Sequence, residues 1–273
     1  MTAQAIWIVS ELCSLGSLRQ LLDDKDRELP LETRLKIALQ LAEGMLYLHN
    51  QDPPIIHRDL KSHNILLNET FIEKNDGEWT IKTSELVSSG SGQAVKPSSS
   101  STLSRIDHSD RSSKLNSEAT IIAKIGDWGS ARAQLSGSRT MTHGVGTACW
   151  LAPEVIKHAR CSQSSDVYSF GIILWEIATR EEVYQDLEGM QIIAQVANDG
   201  LRPPVPEDSP FADLMVRCWS ETPEDRPSFR EILSDLNTLL SELSEPPGTE
   251  MSPSSSSNGN TTISSYQNKV VEE

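Results

Sequence analysis

A long polar stretch, residues 68–119, splits the apolar content of this chain in two. From Ser84 to Ser117 it is dominated by serine (SSGSGQAVKPSSSSTLSR), with few aromatics and scattered glycine and proline. Such a composition buries too little apolar surface to order itself. We therefore expect an inserted disordered loop over 68–119, with Glu78-Trp79-Thr80-Ile81 as a residual strand. The tail from Ser244 is rich in serine, proline and asparagine, so 244–273 is expected to be disordered as well. Roughly 190 residues remain, enough for one core. The expectation is one domain over 1–243, interrupted by the insertion, so both flanking pieces must contribute to the same core.

The elements of that core follow from periodicity. Ile6-Trp7-Ile8-Val9 is β-branched and aromatic and too short for a helix, so it reads as a strand. A turn at Gly16 leads into a helix from Ser17. Residues 30–51 form a longer helix, in which Leu31, Leu35, Ala38, Ala42, Met45 and Leu46 recur at spacings of three and four. Pro30 and Glu32 suit its first turn. Ile65-Leu66-Leu67 reads as a short strand, and order resumes at Ile121–Ile125. Beyond that the chain is mostly helical. SDVYSFGIILWEIATR (165–180) is one helix with Ser164 or Ser165 as N-cap and Asp166 in its first turn. GMQIIAQVAND starts another, and FADLMVRCWS and SFREILSDLNTLLSEL supply two more.

Net charge is -15 and the pI is near 4.8. Nucleic acid and anionic membranes both need a basic face, so neither is expected as a partner. Cys13, Cys149, Cys161 and Cys218 form no CxxC pair, an inventory that fits a reducing, cytoplasmic setting. The expectation is also of no secretory leader and no membrane span, since no apolar run approaches about 18 residues.

Chemistry concentrates in three motifs. The loop after the long helix is IIHRDLKSHNILL, with His57-Arg58-Asp59 and Asn64 five residues on. KIGDWGSAR follows the insertion, carrying Asp127-Trp128-Gly129, and GTACWLAPEV ends in Ala152-Pro153-Glu154. In this order, followed by SSDVYSFGIILWE and CWSETPEDRPSF, they resemble a protein kinase over residues 6–67 and 121–243. The HRDLKS loop and the CWSETPEDRPSF pattern resemble the tyrosine-kinase-like group of serine/threonine kinases, near Raf and the mixed-lineage kinases.

The resemblance implies an α+β kinase fold, mainly the helical C-terminal lobe entered at the hinge strand. It implies a transfer from ATP to a protein serine or threonine, with Mg²⁺. Such a transfer rests on positioning and charge neutralisation rather than covalent chemistry. Asp59 matches the carboxylate that accepts the substrate hydroxyl's proton. Lys61 matches the lysine on the transferred phosphate, and Thr147 the hydroxyl bridging the two. Asn64 and Asp127 match the Mg²⁺ ligands, oxygen donors suited to a hard cation. Val9–Cys13 matches the hinge, with Ser10 as gatekeeper, the Glu11 carbonyl and Cys13 backbone at the adenine edge, and Leu66 as the floor under the ring. His57 and Trp128 match an internal stack in which most of these kinases have phenylalanine in place of Trp128. Glu154 and Arg226 match an ion pair, and Asp166 a carboxylate that holds the catalytic loop. Thr140 and Thr142, then Ser136 and Ser138, are candidate phosphorylation sites for which Arg58 is a partner.

A kinase of this group carries about a hundred further residues before the hinge, holding a glycine-rich loop, a strand lysine and a helix glutamate. Five residues before Ile6 do not hold them, and neither GSGQAVK (90–96) nor HGVGTA (143–148) replaces them. The sequence reads as the catalytic lobe without the sheet of the N-terminal lobe. Three readings stay open: a truncated active kinase, a non-catalytic lobe that binds partners, or a lobe completed by another chain.

Overall fold

The computed structural model describes residues 10–75, 78–83, 117–127, 129, 131–133 and 145–244. The Ile6–Val9 strand, the insertion between 84 and 116, Trp128, the hydroxyls at 136–142 and the tail from 245 lie outside them.

Helix α1, Leu18–Asp23, begins as the Gly16 turn predicts. Ser17 accepts from the Gln20 amide, and the Gln20 side chain accepts from the Ser17 amide, so the cap is reciprocal. Helix α2 spans Leu31–His49. Leu35, Ala38, Ala42 and Met45 are buried as expected, and Ile37, Leu41 and Leu48 are buried too. Burial exceeds one stripe because α2 packs on several neighbours, the last helix and a β-strand among them.

The strands correct the boundary drawn at residue 68. After β1 (Ile55–Ile56), β2 runs from Ile65 to Asn75, β3 covers Glu78–Thr83 and β4 covers Ser117–Ile125. They form an antiparallel sheet in the order β3-β2-β4. The β2–β4 ladder extends from Ile65↔Ile125 to Glu73↔Ser117, and β2–β3 from Thr70↔Thr83 to Asn75↔Glu78. Thr70-Phe71-Ile72 and Trp79-Thr80-Ile81 are β-formers. Averaging them with the serine run beyond hides that local preference. Residues 68–75, 78–83 and 117–119 therefore belong to the sheet.

Both edges of the sheet's inner part are covered. On β2, Leu67 pairs with Leu15 and Gly16 through backbone hydrogen bonds of 3.0 and 2.8 Å. On β4, the Gln40 side chain of α2 donates to the Ile121 carbonyl (3.1 Å) and accepts from the Ala123 amide (2.7 Å). A single amide thus stands in for a neighbouring strand. A two-residue strand β5, Arg132–Ala133, pairs with β1.

The rest is helical: α3 (Pro153–His158), α4 (Gln163–Thr179), α5 (Gly189–Asn198), α6 (Ala212–Cys218) and α7 (Phe229–Ser244). The α4 cap is Ser162, not Ser164 or Ser165. Ser162 accepts from the Ser165 amide while the Ser165 hydroxyl accepts from the Ser162 amide, so the helix starts at Gln163, two residues earlier than expected. Val167, Tyr168, Phe170, Ile172, Ile173 and Leu174 are all buried, which makes α4 the axis of the core. Gly171 lets α6 approach: a Cβ there would sit 2.8 Å from Cys218 Cβ. No helix among the described residues is long and apolar enough to cross a membrane.

Candidate active site

The loop between β1 and β2 is held from below by Asp166, in the first turn of α4. Its carboxylate accepts from the His57 amide (2.9 Å), the Arg58 amide (3.0 Å) and, at 3.0 Å, engages His49 Nε2. Two anchored amides oblige the backbone to turn sharply, and Arg58 takes φ 72°. A non-glycine residue in that region is costly and persists only where its surroundings hold it. Here the turn presents Asp59 next in the chain.

Four sequence-predicted residues meet there. Lys61 Nζ donates to Asp59 Oδ2 (2.9 Å) and Oδ1 (3.2 Å) and to Thr147 Oγ1 (3.1 Å). Asn64 Nδ2 donates to the Asp59 carbonyl (2.8 Å) and to Asp59 Oδ2 (3.0 Å). Both Asn64 donors point at Asp59, so its amide oxygen is turned elsewhere. Asp127 is tied in through its neighbour. The Gly126 amide donates to the Asn64 carbonyl (2.8 Å), and the Gly126 carbonyl lies 3.1 Å from His57 Nε2. Asp127 then adopts φ 58° and stands exposed, its carboxylate accepting weakly from the Gly129 amide at 3.4 Å.

The residues expected at the hinge and floor, Glu11, Cys13 and Leu66, lie at the sheet end of this region. The Glu11 side chain pairs with Lys124 Nζ of β4 at 2.5 Å and accepts from Asn68 Nδ2 at 2.9 Å. The Cys13 carbonyl accepts from the Gly16 amide at 3.2 Å. Leu66 packs against Gly126, where a Cβ would lie 3.1 Å from Leu66 Cδ1. Ser10 is exposed.

Further out, Arg226 clasps Glu154 with two 2.8 Å hydrogen bonds, as the resemblance implies, and lies 5.2 Å over the Tyr168 ring.

The chain matches the protein tyrosine and serine/threonine kinase family over residues 1–96 and 107–236. It belongs to the protein kinase family. The probable serine/threonine-protein kinase drkC of Dictyostelium discoideum is 36% identical over 239 residues, covering 86% of this chain and 25% of that protein. The probable serine/threonine-protein kinase drkA of the same organism is 33% identical over 236 residues, covering 86% of this chain and 29% of that protein. The dual specificity protein kinase splA, also from Dictyostelium, is 34% identical over 236 residues, with 85% of this chain and 8% of that protein covered. This kinase chain thus spans less than a third of the length of each of these relatives.

One residue escaped the reading of the sequence. Glu176 of α4 is 1% exposed and receives Ser62 Oγ (2.8 Å), Trp150 Nε1 (2.9 Å) and Arg19 Nη1 (2.9 Å). Burial pushes its carboxyl up to about 7, against the pull of those donors. The signal was present as a carboxylate inside the apolar run 171–177 of α4. Buried charges of that kind are paired.

Proposed function

We propose that this chain is the catalytic-loop part of an ATP-dependent protein serine/threonine kinase of the tyrosine-kinase-like group, working in the cytoplasm. The observation that carries the reading is Lys61 Nζ shared between Asp59 and Thr147. In this reading Asp59 accepts the proton of the acceptor hydroxyl. Lys61 meets the charge on the transferred phosphoryl group, and Thr147 holds Lys61 toward Asp59. The lysine at this position and the threonine beside it support a serine or threonine acceptor.

The donor set fits Mg²⁺. Asn64 turns both amide donors toward Asp59 and keeps its oxygen for a ligand, and Asp127 offers an exposed carboxylate. Oxygen donors of this kind are those Mg²⁺ prefers, and the ion neutralises phosphate charge when bound. Glu11, Cys13 and Leu66 are assigned to the adenine side, with the Glu11 side chain turned to Lys124 and its backbone left to face the base. The Nε of Arg58 is buried without a hydrogen-bond partner among the described residues. That supports Arg58 as the partner of an activation-segment phosphate on 136–142.

These 273 residues hold no glycine-rich loop and no strand lysine ahead of Asp59. On this reading phosphoryl transfer needs both of those parts beside Asp59 and Lys61. With Mg-ATP and a generic serine/threonine substrate, the 273-residue chain alone gives no turnover. Joined to a lobe bearing those parts, it gives turnover that Asp59→Ala abolishes. Turnover by the chain alone, lost in Asp59→Ala, overturns the need for a second lobe. No turnover in the completed protein overturns the kinase reading in favour of a lobe that binds partners.

A further inference from the structure

The candidate active site is assembled from two halves that belong to different parts of the chain. One is the 59–64 loop with Asp59, Lys61 and Asn64. The other is the 3-10 helix Val145–Trp150, which carries Thr147. Lys61 reaches across at 3.1 Å. A lysine on a four-carbon stem with free rotamers is a poor spacer.

A rigid spacer lies directly beneath. Ser62, the residue after Lys61, gives its hydroxyl to Glu176 Oε1, and Trp150, three residues after Thr147, gives its indole N–H to Glu176 Oε2. The two oxygens of one carboxylate therefore hold one half each. Exposures are 0% for Ser62, 6% for Trp150 and 1% for Glu176, so water does not replace either bond. The His63 and Trp150 rings meet edge to face at 5.6 Å, closing the same seam. The buried charge is met by Arg19 of α1, which is itself held by Asp23 and by the carbonyls of Arg180 and Glu181. A carboxylate in this place serves neither the loop nor the segment alone.

We propose that Glu176 is a positioning residue that sets the separation between the 59–64 loop and the 145–150 segment, and so the placement of Thr147 against Lys61 and Asp59. The inference rests on the phosphotransfer reading only for naming the atoms that are positioned.

The test uses the full chain without nucleotide. Glu176→Leu removes both acceptor oxygens at similar volume, so both arms are lost at once. Amide hydrogen exchange then rises together in 59–64 and 145–150, by about tenfold or more, while α5 and α7 keep their rates. Ser62→Ala raises exchange in 59–64 alone, and Trp150→Phe in 145–150 alone. The chain has six tryptophans, and Trp150→Phe identifies one of the indole N–H signals in a nitrogen-15 spectrum. Ser62→Ala moves that signal through the shared carboxylate, which a merely structural contact would not do. A uniform rise across the chain, no rise, a single-arm variant that loosens both halves or neither, or an unmoved Trp150 signal overturns the proposal. Where Glu176→Leu does not fold, the two single-arm variants decide by the same criteria. Because nothing here depends on turnover, a chain that shows this pattern but fails the phosphotransfer assay loses the kinase reading and keeps the spacer.

Discussion

Replacing Glu154 by alanine removes one half of a buried ion pair and leaves the other half in place. Arg226 has a fully buried side chain, and Glu154 is 16% exposed. Both guanidinium nitrogens meet the carboxylate at 2.8 Å, the bidentate geometry that makes such pairs strong. Stripping one partner from a buried pair costs about 3–5 kcal/mol, because the remaining charge stays desolvated. The figure here falls at the lower end. Arg226 keeps hydrogen bonds to the Ser220 and Ser164 carbonyls (2.8 and 2.9 Å), its contact with Tyr168 survives, and Glu154 is partly open to water. The expected loss is about 3 kcal/mol, or about 6–12 °C in Tm for a domain of this size. Urea unfolding followed by tryptophan fluorescence measures it, with the midpoint moving and the slope unchanged. In an Arg226→Met background the same substitution is expected to cost under about 1 kcal/mol, which isolates the pair term. A loss below about 1 kcal/mol in the wild-type background is the value of an exposed surface pair, and it would refute the assignment of this contact as the anchor of α3.

Three further outcomes follow from the packing. Gly171→Ala drives a methyl to 2.8 Å from Cys218 Cβ and 3.4 Å from the Trp219 amide, so stability drops by about 1–3 kcal/mol in the same unfolding assay. Burial pushes the Cys149 thiol up to about 11 from 9.0, so iodoacetamide at pH 8 labels it about 100-fold more slowly in the folded chain than in urea. Glu176, raised from 4.5 to about 7 by burial, binds a proton more tightly folded than unfolded, so its contribution is fully present below pH 4.5 and is lost as pH rises to 7. The stability of the wild type relative to Glu176→Gln therefore falls across that window and is flat above it.

The helices were legible because their signals are local. The reciprocal cap at Ser17, proline and glutamate at the start of α2, and three-and-four spacing need no tertiary information. The sheet was legible only at its apolar end. Ile65–Leu67 and Ile121–Ile125 read as strands, but Asn68–Asn75 gains its strand character from pairing with β4 and β3, a long-range fact. Asp59, Lys61, Asn64 and Thr147 were nominated through motif order, and the fold brings these four into mutual contact. Ser162 was passed over as the α4 cap because several serines compete there and only geometry chooses among them.

The candidate site is held from one side. Asp166 and Glu176 lie ten residues apart on α4, about 15 Å along its axis, and each gathers donors from the loop between β1 and β2. Asp166 sits in the first turn, where the helix dipole favours a carboxylate, and takes the amides of His57 and Arg58. Glu176 sits in the last turn, where the dipole opposes it, and needs the Arg19 guanidinium from another helix. The two anchors therefore differ in what sustains them. The Asp166 anchor is intrinsic to α4 and comes with the core. The Glu176 carboxylate takes its charge partner from α1, and α1 follows on the segment assigned to the nucleotide hinge. Displacing α1 leaves the Asp166 end of the loop in place and strips the Glu176 carboxylate of its charge partner, so the seam between Ser62 and Trp150 is coupled to the seating of α1.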